Sequence, residues 1–163
     1  MPISTLHRGQ QGSDQPAPRP VVAAVCYRTG ESGIEFLLVR TKDGRGRTFP
    51  RGHVEAGEPP WEAAKREAAE ESGAAGHVGE RPLTSYASAR DGHEETVAAF
   101  LMLVTSVTVG HEDGRDPRWF SAESAVTALA QGREPRFARE QGRVVQQALS
   151  AIASAGPSAA GTF

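Results

Sequence analysis

The sequence predicts an α+β domain, built as an α/β/α sandwich around a mixed β-sheet, and three observations carry that prediction. Extended and helical segments follow in the order strands, helix, strands, helix, helix, with no internal repeat, as when helices are layered on one sheet. Two of the extended segments, residues 21–27 and 96–107, are nearly unbroken apolar runs. Between them, residues 61–72 hold four alanines and no helix breaker, with Pro59-Pro60 in front and Gly73 behind. At 163 residues the chain has the length of one ordinary domain, able to bury roughly two-thirds of its unfolded surface.

Residues 1–19 mix Gly, Gln, Ser, Asp and Pro with little apolar content. Such a stretch cannot offset the entropy of ordering and reads as a disordered leader, which leaves the domain over residues 20–152. A first strand over 21–27 and a second over 33–40 are joined by a hairpin turn at 28–33, which holds two glycines. A polar loop, 42–47, leads into a short extended piece at 48–52. The helix at 61–72 comes next, its left-handed cap expected at Gly73. Further strands are expected at 77–89 and 96–107 around an Asp91-Gly92 turn, and a short one at Arg118-Trp119-Phe120. Ser121 can cap a helix over 123–130, and Pro135 opens a longer one through Val144, Val145, Ala148, Leu149 and Ile152. Residues 153–163 form a flexible, small-residue tail.

Composition narrows the function. With 18 basic against 20 acidic residues and a net charge of −2, no global field advertises nucleic acid or an anionic membrane as partner, so any phosphate affinity is local. The single cysteine, Cys26, sits in an apolar run, which allows no intramolecular disulfide and fits a reducing, cytoplasmic setting. No stretch of 18 apolar residues or secretory leader is present. Monomer and homodimer both stay open.

The chemistry concentrates on the helix at 61–72. Glu67, Glu70 and Glu71 stand at i, i+3, i+4, which puts three carboxylates on one face beside an apolar stripe of Trp61, Ala64 and Ala68. Arg66 is the i, i+4 partner of Glu70. Neighbouring carboxylates repel unless cations arrive, and hard oxygen ligands on a rigid element suit Mg²⁺ or Mn²⁺ with substrate phosphates completing the shell. Arg51-Gly52-His53 precedes the helix, where glycine lets backbone approach a ligand closely and Arg51 can meet a phosphate.

From Gly52, five residues lead to Glu58 and seven more to Arg66-Glu67-Ala68-Ala69-Glu70-Glu71-Ser72-Gly73-Ala74. This resembles the Nudix box, G-x5-E-x7-R-E-U-x-E-E-x-G-U, with Ala68 and Ala74 small where the family carries aliphatic residues. The resemblance implies a Nudix-type fold and a hydrolase of phosphoanhydrides. It implies Glu70 and Glu71 as metal ligands, Glu67 as ligand or general base, the Gly52 carbonyl as a metal contact, and Arg66 among the catalytic residues with Glu58 holding loop to helix.

Residues 49–58 look like the variant found in diadenosine polyphosphate and diphosphoinositol polyphosphate hydrolases, where Trp119-Phe120-Ser121 with Glu123 also recurs. The similarity, nearest to the diadenosine polyphosphate hydrolase and MutT-like branch, spans about residues 21–149. Departures remain: Ala89 stands where the ADP-ribose branch carries proline, and Tyr86 falls early for the dinucleotide branch's tyrosine. Arg40, Arg47 and Arg51, with Lys42 and Arg45, could converge on a polyphosphate chain. Glu94, Glu95 and Glu112 are candidates for a further acidic ligand from a later loop. Tyr86, Phe100 and Trp119 read as core rather than as base-stacking platforms. The expected substrate is a nucleoside polyphosphate, foremost a dinucleoside polyphosphate. A pyrophosphatase of nucleoside triphosphates, oxidised ones included, and a non-catalytic nucleotide-binding module stay as alternatives.

Overall fold

The computed structural model describes residues 19–159, so nearly all of the expected leader, and the last four residues, lie outside it. The order of elements is β1 (Val21–Gly30), β2 (Gly33–Arg40), β3 (Arg47–Thr48), β4 (Arg51–His53), α1 (Pro60–Ser72), β5 (Ala74–Val78), β6 (Thr84–Arg90), β7 (His93–Val107), β8 (Arg118–Ser121), α2 (Ala122–Ala130) and α3 (Pro135–Ala159). Strands β1 and β7 pair in parallel at the centre, while β2, β4, β5 and β6 add antiparallel, which makes the sheet mixed.

Both faces of the sheet are covered, which explains the apolar runs: a strand buried on two sides cannot alternate with polar residues. Along β1, Val21, Ala23, Val25 and Tyr27 point to a cluster built with Leu129, Val144, Val145 and Ala148 of α2 and α3. The intervening Val22, Ala24 and Cys26 point to the opposite cluster, built with Ala63, Ala64 and Ala68 of α1. The expected sandwich therefore forms, with α1 alone on one face. Tyr86 and Phe100 are buried in these clusters, and Trp119 packs partly against the α1 side.

The piece expected at 48–52 is two short strands, β3 and β4, and β7 starts at His93. Three larger differences separate the structure from the sequence reading. The hairpin turn shrinks to two residues, because β1 and β2 stay paired to Gly30 and Gly33 and Arg28 meets Glu35 across the ladder at 3.0 Å. The strand expected over 77–89 is two, β5 and β6, both lying along β7. Gly79 and Leu83 still donate to the carbonyls of Leu101 and Ala99, so residues 80–82 bulge out where Pro82 has no N–H for the ladder. Helix α3 runs to Ala159 through Ala151, Ala153 and Ala155, strong helix formers, where a tail was expected from residue 153. Among the described residues no helix is long and apolar enough to cross a membrane.

Candidate active site

Helix α1 begins at Pro60 behind Pro59 and ends at Gly73, whose left-handed backbone (φ 74°) lets its N–H bond the Ala69 carbonyl at 2.9 Å. Its alanine stripe is pressed flat on the sheet, so the acidic edge cannot all escape to solvent. The side chains of Glu67, Glu70 and Glu71 are 13%, 56% and 4% exposed, which gives three carboxylates of one face three different environments.

Arg66 ties this edge to the loop before it. Its guanidinium meets Glu58 at 2.9 Å, Glu67 at 2.9 Å and Glu70 at 3.3 Å, and donates to the His53 carbonyl at 3.0 Å. The hydrogen bond to Glu58 raises the Arg66 pKa above its ordinary range, and the same bond holds the Glu58 carboxyl below its own. Burial raises Glu67 in spite of Arg66.

Strand β4 pairs with the start of β1, Val22 opposite Gly52, so Gly52 shares the α1 face and lies under Glu67 while Arg51 and His53 point the other way. A Cβ at Gly52 would overlap the Glu67 carboxylate. That carboxylate is the free end of a flexible side chain, so Gly52→Ala should displace it rather than unfold the protein. Turnover is expected to fall about 100-fold, the scale of a misplaced catalytic group, with the melting temperature almost unchanged; a variant of normal turnover would show the close approach to be irrelevant.

Glu71 is buried and held from two sides. The Arg51 backbone N–H donates to it at 3.1 Å and the Arg115 guanidinium at 3.1 Å, while Arg115 also reaches the Arg40 carbonyl at 3.0 Å and Glu112 at 3.4 Å. Burial nevertheless outweighs Arg115, and the Glu71 carboxyl is pushed up to about 7. The site is short of positive charge at its deepest carboxylate.

These groups line one cleft of about 710 Å³, which crosses the end of the sheet from α1 to the α2–α3 turn. Glu67, Glu70, Glu71, Glu112, Arg66 and Gly52 line one side, and Arg51, Ser88 and Arg133 also line it. Arg51 donates to Ser88 at 3.1 Å and pairs with Glu95. Of the later acidic residues, Glu112 joins the cleft. Glu94 does not, because it pairs with Arg136 at 3.6 Å beside a separate hollow.

Of the arginines expected on substrate, only Arg51 reaches the cleft. Arg40 and Arg47 are cross-strand neighbours drawn onto Asp116, Arg40 at 3.3 Å and Arg47 at 2.7 Å, and they open on a second hollow of about 540 Å³. Hydrogen bonding from Arg47 and Arg118 holds the Asp116 carboxyl at about 2, so these guanidiniums are already engaged with a carboxylate. Sequence reasoning missed Arg115 and Arg133, since nothing local sets either apart in an arginine-rich chain.

The donor set fits a divalent cation. It offers hard carboxylate oxygens, one of them buried and under-compensated. Among the described residues no three carboxylate, thiol or imidazole groups already converge as a cage. Glu67 and Glu70 lean on Arg66 and Glu71 on Arg115, so these guanidiniums supply the counter-charge that a cation would replace.

A NUDIX domain family model matches residues 17–141. Among curated proteins, the chain is 32% identical over 134 residues to Nudix hydrolase 4 of Arabidopsis thaliana, covering 76% of this chain and 65% of that protein. It is 34% identical over 112 residues to diphosphoinositol polyphosphate phosphohydrolase 3-beta of Bos taurus, covering 66% of each. The chain thus spans just under two thirds of the length of these relatives. Among solved structures, a C. elegans Ap4A hydrolase in a binary complex shares the fold at a TM-score of 0.67 and 24% identity, over 83% of this chain and 98% of that one. Divalent cations serve this family generally. Since the matched residues carry every group that lines the cleft and most of the chain, this protein belongs to the NUDIX family.

Proposed function

We propose that this protein is a Mg²⁺- or Mn²⁺-dependent pyrophosphohydrolase that cleaves a phosphoanhydride in a nucleoside diphosphate-linked substrate, foremost a dinucleoside polyphosphate. One observation carries the reading: three carboxylates of α1, at three depths, share a cleft with arginines from other elements. The intact carboxylate set argues for catalysis over nucleotide binding alone.

In this reading Glu70, Glu71 and Glu67, with the Gly52 carbonyl, hold the cation, which supplies Lewis acidity toward water and phosphate oxygens. Glu67, whose carboxyl burial raises above its ordinary range, is suited to act as the proton acceptor. Arg66 keeps Glu67 and Glu70 oriented through its bonds to the Glu58 loop, and Arg51 meets a substrate phosphate. Diadenosine polyphosphates, nucleoside triphosphates with oxidised ones, ADP-ribose and diphosphoinositols, assayed with Mg²⁺ and product analysis, test the choice. The highest kcat/KM is expected on a dinucleoside polyphosphate; preference for triphosphates would reverse it, and no turnover at all would leave a binding protein.

Glu71 also sets a pH dependence. Its carboxyl is raised from 4.5 to about 7 by burial. Its contribution to stability is therefore full below about pH 4.5 and is lost as pH rises through 7. A cation takes the deprotonated form, so Mg²⁺ should raise the melting temperature more at pH 8 than at pH 6, and its binding near pH 6.5 should release protons. Equal stabilisation at both pH values would remove Glu71 from the metal site.

A further inference from the structure

We infer that the cleft wall away from α1 carries an anion subsite, formed by Arg133 and Arg51, that takes a phosphate of the substrate chain and selects for chain length. The inference rests on the phosphoanhydride-cleaving reading above. Arg133 follows Gly132 in the turn between α2 and α3, half-buried and facing the cleft. Its guanidinium is braced by two backbone carbonyls, of Arg47 at 2.9 Å and of Leu129. Among the described residues its charged neighbour is Arg51 and its neutral polar neighbour is Tyr86, with no carboxylate paired to it. Burial pulls its pKa below the ordinary range, and the like charge of Arg51 adds to the effect.

The surroundings are equally incomplete. Arg51 has one acid, Glu95, for the two guanidiniums. Tyr86, 1% exposed, places its hydroxyl beside Arg51 and Arg133 and gives them no negative charge. Gln141, also 1% exposed, stands next to that hydroxyl, so the polar pair lies buried beneath the two guanidiniums. An exposed arginine without an acid is ordinary, but a half-buried one whose charged neighbour is another arginine is costly unless an anion arrives. The planar guanidinium fork fits phosphate oxygens. By contrast, Arg40, Arg47 and Arg118 each pair directly with a carboxylate, that of Asp116, which Arg133 does not. A phosphate chain with one end at the carboxylates and the other at Arg133 would span the cleft, so a short chain would forgo the second contact.

Calorimetric titration with inorganic tripolyphosphate in EDTA tests the subsite without turnover. Arg133→Gln should weaken binding about tenfold or more, while Glu95→Gln, which frees Arg51 of its acid, should tighten it. Unchanged affinity in Arg133→Gln, no tightening in Glu95→Gln, or no binding to the wild type at millimolar concentration would each overturn the inference; the Glu95 arm stands even if Arg133→Gln fails to fold. In steady state, tripolyphosphate should compete with a dinucleoside tetraphosphate, and Arg133→Gln should raise KM for that substrate but not for a diphosphate-bridged one, with kcat kept. Non-competitive inhibition would place the anion outside the substrate path and overturn the assignment. A protein that binds tripolyphosphate through Arg133 yet hydrolyses no dinucleoside polyphosphate would refute the proposed reaction and leave the anion site standing.

Discussion

Glu70→Gln should lower metal-dependent turnover about 100-fold or more, the scale lost with a metal ligand or proton-transfer group, while the melting temperature barely moves. The two halves of that expectation come from one fact: the Glu70 side chain is 56% exposed in the cleft and meets Arg66 only at 3.3 Å. An exposed pair of this kind contributes about 0–1 kcal/mol, so the fold loses little. Glutamine keeps the shape and removes the charge, and the deficit should persist at saturating Mg²⁺ if the carboxylate acts beyond simple affinity. Unchanged turnover with Mg²⁺ would take Glu70 out of the site.

Arg115→Met should have the opposite signature, a large loss of stability that depends on pH. The replacement leaves Glu71 buried beside no guanidinium, and breaking a buried pair by removing one partner costs about 3–5 kcal/mol. Protonation of Glu71 offers an escape, and with Arg115 in place its carboxyl already titrates at about 7. The loss should therefore approach that range at pH 8 or 9 and shrink toward pH 5, where the acid is neutral in either protein. Adding Glu71→Gln should restore most of the stability, because no buried charge remains to be compensated. Denaturant melts of the single and double variants at both pH values read the effect directly. A loss of equal size at pH 5 and pH 8 would assign it to packing and to the bond from Arg115 to the Arg40 carbonyl instead.

The two residues differ although they are adjacent on one helix. An i, i+3, i+4 spacing guarantees a shared face, and it says nothing of depth. Depth is set by how α1 lies on the sheet, and Ala63, Ala64 and Ala68 bring it close enough to submerge Glu71 while Glu70 stays in the cleft.

What the sequence by itself determined is what short-range physics controls. The left-handed cap at Gly73, the prolines at the start of α1, the Ser121 cap and the apolar runs of β1 and β7 depend on residues within a turn or a strand of one another. The spacing from Gly52 to Ala74 specified the acidic edge for the same reason. The strand break at residues 80–82 was also local, and Pro82 was the available signal. Tertiary structure alone decided which distant charges meet. Arg115 reaches Glu71 from 44 positions away, and Arg47 meets Asp116 from 69, which draws Arg40 and Arg47 off the cleft. Arg133 enters it only because α2 and α3 pack against the far face of the sheet. A guanidinium pairs with whichever carboxylate the fold brings within a few ångströms, and that distance is a property of packed layers that no local pattern encodes.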